Sequence, residues 1–154
     1  MVDVVTIRIP PRIKEGISLV DQGKFKQAQD IFEGYLEVKP DSALAMSFAG
    51  ILKSQFSGQP EEGLELCRKA MERDTEEALI YLNLAKAYNQ VGNRYQCVQV
   101  LYKGLKIPSP HHARLEQYMK TIGVRRPLLI KGLNRNHPLN DIWGRLTWRL
   151  KRHK

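Results

Sequence analysis

The sequence repeats itself at a period of about 34 residues, and this period constrains the fold more than any other feature. Gly23 recurs as Gly58 and Gly92, at steps of 35 and 34. Three further columns of small or apolar residues follow the same steps. These columns are Ala28, Gly63 and Cys97; Phe32, Cys67 and Leu101; and Leu36, Met71 and Leu105. Self-similarity at this period predicts a repeat architecture, in which each unit buries its apolar face against its neighbours.

Each repeat contains two amphipathic segments that meet at the recurring glycine. Between Pro11 and Gly23, apolar residues fall on two faces of a helix, which must therefore be covered on both sides, as in a stack. The glycine ends that helix in the left-handed conformation. The pattern predicts six helices near 11–22, 25–38, 42–57, 60–73, 76–91 and 94–106. Asp74 and Thr75 are expected to cap the fifth.

The segments outside the repeats divide the chain into three predicted parts. Residues 1–10 form an N-terminal arm, residues 11–123 a repeat domain, and residues 124–154 a linker and a basic amphipathic C-terminal helix. The repeat domain includes a seventh helix near 111–122, expected to act as the polar-faced cap that a solenoid needs. The arm alternates apolar and polar residues with no partner strand, so it is either loosely held or lies in a groove.

Composition narrows the classes of protein further. No run of about 18 apolar residues is present, and the N-terminus lacks the pattern of a secretory signal, so we expect a cytoplasmic protein. The two cysteines are expected to be buried free thiols in a reducing compartment. Residues 1–110 carry no net charge, whereas residues 111–154 carry +9. A neutral body with a basic tail suggests two separate roles.

The repeats resemble those of the tetratricopeptide repeat family, whose pattern has an aromatic, Leu, Gly and Tyr on the first helix and Ala, Phe and Pro on the second. The matching residues are Gly16, Ala28, Phe32 and Pro40 in repeat one; Met46, Ala49, Gly50, Gly63 and Cys67 in repeat two; and Tyr81, Leu84, Ala85, Tyr88, Cys97 and Leu101 in repeat three. The resemblance implies an all-α fold: a right-handed α-solenoid of three helix-turn-helix repeats, with a capping helix and a C-terminal basic helix.

In this family the first helix of each repeat lines a concave face that binds peptide segments. Carried over by register, the groove would be lined by Ile13, Ile17, Val20, Leu44, Ser47, Ile51, Gln55, Leu79, Leu82, Lys86, Asn89 and Gln90. Some members hold a partner's C-terminal carboxylate with Lys, Asn and Arg. Only Asn83 and Lys86 are polar candidates here, which argues against such a clamp. The groove is expected to take an amphipathic helix or an extended apolar strip, unless the chain's own arm covers part of it.

No motif for catalysis, cofactor binding or metal binding is present, so we predict neither an enzyme nor a cofactor. The sequence lacks a phosphate-binding loop, a Cys-x-x-Cys pair and a His-Glu-x-x-His helix. His111 and His112 are adjacent and point in different directions on a helix, so a capping or surface role is expected rather than a metal site.

The basic tail has several interpretations, which the sequence leaves open. Its candidate binding residues are Trp143, Arg145, Trp148, Arg149, Lys151 and Arg152. The tail packs back on the body, lies on an anionic membrane surface, binds nucleic acid, or meets an acidic face of a protein partner. No recognition motif supports nucleic acid, for which charge is the sole argument.

The function expected from the sequence is that of a non-enzymatic scaffold or adaptor, which binds a segment of an unidentified protein partner in its groove. It resembles small bacterial proteins of this family, some of which act as chaperones for secreted proteins. The alternative is a surface tether that acts through the basic tail. The exposed ends of the solenoid and the apolar strip 128–130 also make a homodimer an open expectation.

Overall fold

A computed structural model describes residues 9–123 of the chain. Within this range the chain forms seven α-helices and no strands. The helices are α1 (Pro11–Asp21), α2 (Phe25–Val38), α3 (Ala43–Phe56), α4 (Pro60–Arg73), α5 (Ala78–Gln90), α6 (Arg94–Gly104) and α7 (His112–Thr121). The predicted arm up to residue 8, and the linker, the apolar strip and the basic helix from residue 124 onward, lie outside the described residues. All seven helices belong to the first of the two units of the chain, Met1–Ile122.

Left-handed glycines follow the first helix of every repeat. The backbone φ angle is 74° at Gly23, 68° at Gly58 and 75° at Gly92. No atom lies within 4 Å of the place where a Cβ would stand at these positions, so space does not explain the glycines. The positive φ angle explains them, because residues with a Cβ adopt such an angle only with strain. This confirms the expectation for Gly23 and accounts for the most regular column of the repeat.

The small residues of the other columns allow neighbouring helices to approach closely. A Cβ built on Gly50 of α3 would stand 2.7 Å from the carbonyl oxygen of Gly63 in α4. A Cβ on Gly16 of α1 would stand 2.6 Å from the ring of Phe32 in α2. In the third repeat the equivalent positions are the buried Ala85 and Cys97, and the close contact falls at Gly104 of α6, where an added Cβ would stand 2.7 Å from the Cβ of Tyr81 in α5.

The core runs without interruption through all three repeats. Phe32 is fully buried and stacks on Phe48 of the next repeat, with ring centroids 4.9 Å apart. Cys67 and Leu101, which occupy the same column as Phe32, are also fully buried. Because a stacked repeat buries its apolar face only against its neighbours, this continuity holds the solenoid together.

The first helices of successive repeats form one layer. Helix α1 contacts α3, α3 contacts α5, and α5 contacts the capping helix α7. Each second helix packs on the first helix of its own repeat and on the first helix that follows. Within the described residues the second helices make no comparable contact with one another. The layer of α1, α3, α5 and α7 is therefore the surface on which the predicted groove residues lie.

The start of α5 differs from the sequence prediction. The helix begins at Ala78 rather than at residue 76, and Glu77 caps it by accepting a hydrogen bond from the Leu79 N–H at 3.0 Å. The Asp74 carboxylate instead accepts from the Glu76 N–H at 2.8 Å, which forms a local turn. The Tyr81 hydroxyl donates to the Thr75 carbonyl oxygen at 2.9 Å and fixes that turn against the helix. Side-chain bonding to nearby backbone groups thus competes with the helix and delays it.

Candidate functional site

The residues that register assigns to the groove fall into a buried set and an accessible set. The buried set is Ile13, Ile17, Ser47, Ile51, Leu79 and Leu82. The accessible set is Val20, Leu44, Lys86 and Asn89, which are half-buried, and Gln55 and Gln90, which are exposed. Contacts with a partner would therefore come first from the accessible set, whereas the buried set packs the helix layer together.

Asn83, one of the two polar residues considered above for a carboxylate clamp, forms a hydrogen bond inside the helix layer. The Asn83 side-chain amide donates to the Ser47 hydroxyl oxygen at 3.1 Å, and both side chains are buried. The Ser47 hydroxyl in turn donates to the Leu44 carbonyl oxygen at 2.8 Å. Asn83 thus joins α5 to α3 in the interior, so Lys86 is the polar candidate that stays accessible.

A cleft of about 420 Å³ opens beside Lys86, between the end of α1, the middle of α5 and the capping helix α7. It is lined by Asp21, Leu82, Lys86, Arg114, Gln117, Tyr118 and Thr121. Leu82 and Lys86 belong to the predicted groove, and the other five residues do not. Most of the lining residues are polar, namely Asp21, Lys86, Arg114, Gln117 and Thr121, and Leu82 and the Tyr118 ring supply the apolar part.

A two-point ion pair spans the cleft. The Arg114 guanidinium donates to both oxygens of the Asp21 carboxylate, with N–O distances of 3.2 and 2.6 Å. Both side chains remain partly exposed, Arg114 by 40% and Asp21 by 49%. Bidentate geometry favours this orientation, but solvent screens the attraction.

Lys86 lies beside this pair in a less polar environment. Its ammonium nitrogen stands 5.7 Å from the centre of the Tyr118 ring. Burial lowers the pKa of Lys86, the neighbouring Arg114 lowers it further, and Asp21 partly offsets both effects. Burial also raises the pKa of Tyr118 to about 12, so its phenol stays neutral near neutral pH. Among the described residues Lys86 forms no ion pair, and its cation–π partner is the Tyr118 ring.

Tight packing fixes the position of α7 in this site. Leu115 is fully buried, and a Cβ on Gly104 of α6 would stand 2.7 Å from it. The Arg94 guanidinium also donates to the carbonyl oxygen of Ile122. Sequence reasoning assigned α7 to capping and missed its side chains in the cleft. The repeat period contained the signal, because α7 begins at His112, 34 positions after Ala78, as the first helix of a further repeat would.

The two cysteines and the pair His111–His112, which the sequence analysis considered, have structural roles in the helical packing. Cys67 and Cys97 are free and buried, as expected, and burial raises the pKa of the Cys67 thiol to about 12. His111 precedes α7 as its N-cap residue, and His112 contacts the Ile107 carbonyl oxygen through Nε2. Residues 9–123 contain no group of three or more His, Cys, Asp or Glu side chains placed to hold a metal ion. No helix in the same range combines the length and the apolar character needed to cross a bilayer.

Comparison by sequence finds similarity to a mitochondrial receptor. Mitochondrial import receptor subunit TOM70 from Rattus norvegicus, from Mus musculus and from Homo sapiens is in each case 28% identical over 102 residues. The match covers 63% of this chain and 17% of each relative, so the chain spans only a small part of the length of these proteins. No family model matches the chain.

Comparison by structure supports the same architecture. The solved structure of the MamA RS-1 ArsTM double mutant superposes with a TM-score of 0.55 and 18% sequence identity, over 92% of this chain and 74% of that one. At this identity the likeness concerns the fold alone. Together with the helical repeats, the left-handed glycines and the layer of first helices, it shows that the chain has the fold of a tetratricopeptide-type α-solenoid.

Proposed function

We propose that the protein is a non-enzymatic adaptor that binds a peptide or helical segment of another protein on the layer formed by its first helices. The observation that supports this most directly is the cleft beside Lys86, because it opens on the predicted binding surface and is bounded by side chains of three helices. Peptide segments commonly dock on such preformed grooves, where a few anchors supply most of the affinity.

The relatives give limited support to the same function. TOM70 is named as an import receptor subunit, which describes a protein that binds other molecules. We carry over receptor-type binding and not import, since the chain corresponds to 17% of that protein. A chaperone-like role, in which the bound segment belongs to an unfolded protein, is a finer form of the proposal. We also place the protein in the cytoplasm, which cell fractionation would test.

Site-specific photocrosslinking tests the groove. A benzoylphenylalanine at Gln55 or Gln90 places the crosslinker at exposed positions on α3 and α5 without disturbing the buried set. Matched controls at the exposed residues Gln99 of α6 and Arg68 of α4 place it on second helices. We expect a discrete adduct with a protein partner from the first two positions and not from the controls, followed by binding of the purified partner. Equal adducts from all four positions would refute the groove as the site.

A second candidate function uses the basic tail, and the charge distribution supports it. Residues 111–154 hold 11 Lys or Arg and only two acidic residues, whereas residues 1–110 hold 14 of each. Arg145, Arg149 and Trp148 belong to this segment. If the tail is a tether, a chain ending at Gly123 loses binding to anionic vesicles or to RNA, and salt weakens the binding of the full chain steeply. Binding that survives both changes would exclude the tether.

The mass of the full chain in solution tests the expectation of a homodimer. Sedimentation equilibrium on the full chain and on a chain ending at Gly123 separates the alternatives. A dimeric full chain with a monomeric truncation makes the tail an assembly segment, which would weaken the tether hypothesis.

A further inference from the structure

Gly34, in the second half of α2, is an exception among the glycines of the described helices. The others are placed so that an added Cβ would stand 2.4 to 2.7 Å from an atom of a neighbouring helix: Gly16, Gly50, Gly63 and Gly104. At Gly34 no such atom lies within 4 Å, and the backbone φ angle is not positive. Because glycine destabilises the interior of a helix relative to alanine, nothing within residues 9–123 offsets the cost of this one.

Gly34 lies in an apolar stripe on the outer face of α2, which the neighbouring helices leave open. Ile31 and Val38 lie three positions before it and four positions after it, a spacing that puts residues on one side of a helix. Val38 is 77% exposed and Ile31 is half-buried, and neither is among the apolar residues that pack against the described core. The glycine leaves a gap in this stripe, where the backbone of a second helix can approach closely.

A row of carboxylates runs beside the apolar stripe. Asp30, Glu33 and Glu37 each precede a member of the stripe by one residue, so the row follows the same spacing about 100° around the helix. All three side chains are exposed, and none forms an ion pair with a residue in the range 9–123. Glu33 accepts a hydrogen bond from the Gln29 amide at 2.8 Å. Helix α2 has a single cation, Lys26, so its outer face carries a net negative charge.

We propose that the outer face of α2, centred on Gly34, is a docking surface for an amphipathic helix of a partner protein, which carries small and aliphatic residues on one stripe and Lys or Arg beside it. The chain uses the same kind of contact internally, where Gly50 and Gly63 bring α3 and α4 close together. The surface belongs to a second helix, so it is separate from the layer of first helices that carries the proposed groove.

The charge of the surface selects the occupant. Carboxylates repel nucleic acid and anionic lipid, whose binding depends on cations of the protein. They attract Lys and Arg side chains instead, and a row of them favours one direction and register of the docked helix. The apolar stripe supplies the centre of the contact and the carboxylates supply its polar edge, which is the usual arrangement of a protein interface.

The test uses the full chain and a defined probe. The probe is a fluorescein-labelled, C-terminally amidated octadecapeptide of Ala, Leu and Lys, with Ala and Leu on one helical stripe and Lys beside it. The control peptide has Glu at every Lys position. Fluorescence anisotropy gives both affinities, and we expect the Lys peptide to bind at least roughly tenfold more tightly than the Glu peptide.

Substitution of the glycine separates docking from folding. Gly34→Gln places a long polar side chain where the partner helix would approach, so it should weaken binding of the Lys peptide at least roughly tenfold. The same change replaces glycine by a good helix former at an exposed position, so it should raise the urea concentration at the unfolding midpoint. Damage to the fold cannot explain a variant that is more stable and yet binds less tightly.

Two pairs of charge variants locate the surface. Glu33→Gln together with Glu37→Gln removes two charges from the row on α2 and should weaken binding of the Lys peptide several-fold. The matched control, Glu61→Gln together with Glu65→Gln, removes two exposed charges from α4 and should leave that affinity unchanged. Circular dichroism confirms that each variant stays helical.

Four results would overturn the proposal. Unchanged binding by Gly34→Gln would show that the peptide does not pack on α2, and equal losses for the two charge pairs would assign its binding to overall charge. If a chain ending at Gly123 bound the Lys peptide roughly tenfold more tightly than the full chain, the occupant would be the chain's own basic segment. If the full chain self-associated in sedimentation equilibrium and Gly34→Gln abolished this, the occupant would be a second copy.

The proposed groove is tested independently of this surface. Adducts from crosslinkers at Gln55 and Gln90 should be the same with and without Gly34→Gln, because both positions lie on first helices. A failure of peptide docking on α2 therefore leaves the groove proposal standing, and a failure of the crosslinks leaves the docking surface standing.

Discussion

Arg114 of the capping helix forms a two-point ion pair with Asp21 at the end of the first helix, 93 positions earlier in the chain. Repeats in a solenoid normally contact only their neighbours, so a contact between the first and the last described helix is an exception. It joins the two ends of the layer of first helices across the cleft. Asp21 and Arg114 therefore supply two of the three charged groups that line the candidate site.

The stability that this ion pair contributes can be measured by a double-mutant cycle. Asp21→Asn, Arg114→Gln and the double variant should give a coupling free energy of about 0.2–1 kcal/mol in urea unfolding, because both side chains are partly exposed. The coupling should shrink at high salt. The exposed pair Arg73–Asp41 serves as the comparison. A coupling well above about 2 kcal/mol that resists salt would show instead that the pair behaves as a buried one.

The surroundings of Gly50 in α3 and Gly34 in α2 predict that substitution by alanine has opposite effects on stability at the two positions. Gly50→Ala would place a methyl group 2.7 Å from the Gly63 carbonyl oxygen, so the helices must separate, which should lower the free energy of unfolding by about 1–3 kcal/mol. Gly34→Ala lies within α2 with no atom within 4 Å of the added methyl, and it should raise that free energy by about 0.5–1 kcal/mol. Urea unfolding of both variants provides the measurement. Destabilisation by Gly34→Ala would contradict the packing described for α2.

The buried hydrogen bond between Asn83 and Ser47 predicts that substitutions at these two positions have non-additive effects on stability. Ser47→Ala leaves the Asn83 amide buried without its partner and should destabilise the protein by about 1–3 kcal/mol. Asn83→Leu alone should also destabilise it, whereas the double variant should recover part of the loss, since no polar group is then left unsatisfied. Thermal unfolding of the three variants gives the comparison. Simple additivity would mean that the hydrogen bond contributes little.

Much of the fold was predictable from the sequence because several columns of residues show the same repeat period. The recurrence of Gly23 predicted both the period and the turn geometry, and Pro11 and Pro60 marked the helix starts that the structure has. The start of α5 was predicted incorrectly because two acidic side chains, Asp74 and Glu77, were both able to cap it. The Tyr81 hydroxyl donates to the Thr75 carbonyl oxygen, six positions earlier, and holds the turn that precedes Ala78; general capping preferences do not include this contact.

The candidate site was less predictable than the fold. Register placed Lys86 and Leu82 together on α5, where both line the cleft, but it could not show that Leu82 is buried or that Asn83 bonds to Ser47. The contribution of α7 was missed because its sequence lacks the family pattern, although its distance from α5 follows the period. The pairing of Arg114 with Asp21 depends on the curvature of the whole layer, and curvature follows from packing at every interface.

Burial of the Cys67 thiol predicts a loss of stability in alkaline solution. The pKa of Cys67 rises from its usual value of 9.0 to about 12 because burial disfavours the thiolate. Below pH 9 both the folded and the unfolded chain keep the proton, so this group does not oppose folding. Between pH 9 and about 12 the unfolded chain loses the proton first, and the free energy of unfolding falls by about 1.4 kcal/mol per pH unit from this group.

Urea unfolding at several pH values from 7 to 11 tests this expectation. Cys67→Ala removes the titrating group and provides the control, because every other ionisable group is present in both proteins and its contribution cancels in the comparison. The variant should be less stable at pH 7, since it loses buried volume, but its stability should decline less steeply above pH 9. Parallel curves for the two proteins would show that the thiol is accessible to solvent in the folded state. Fast reaction of the native protein with a thiol reagent at pH 8 would lead to the same conclusion.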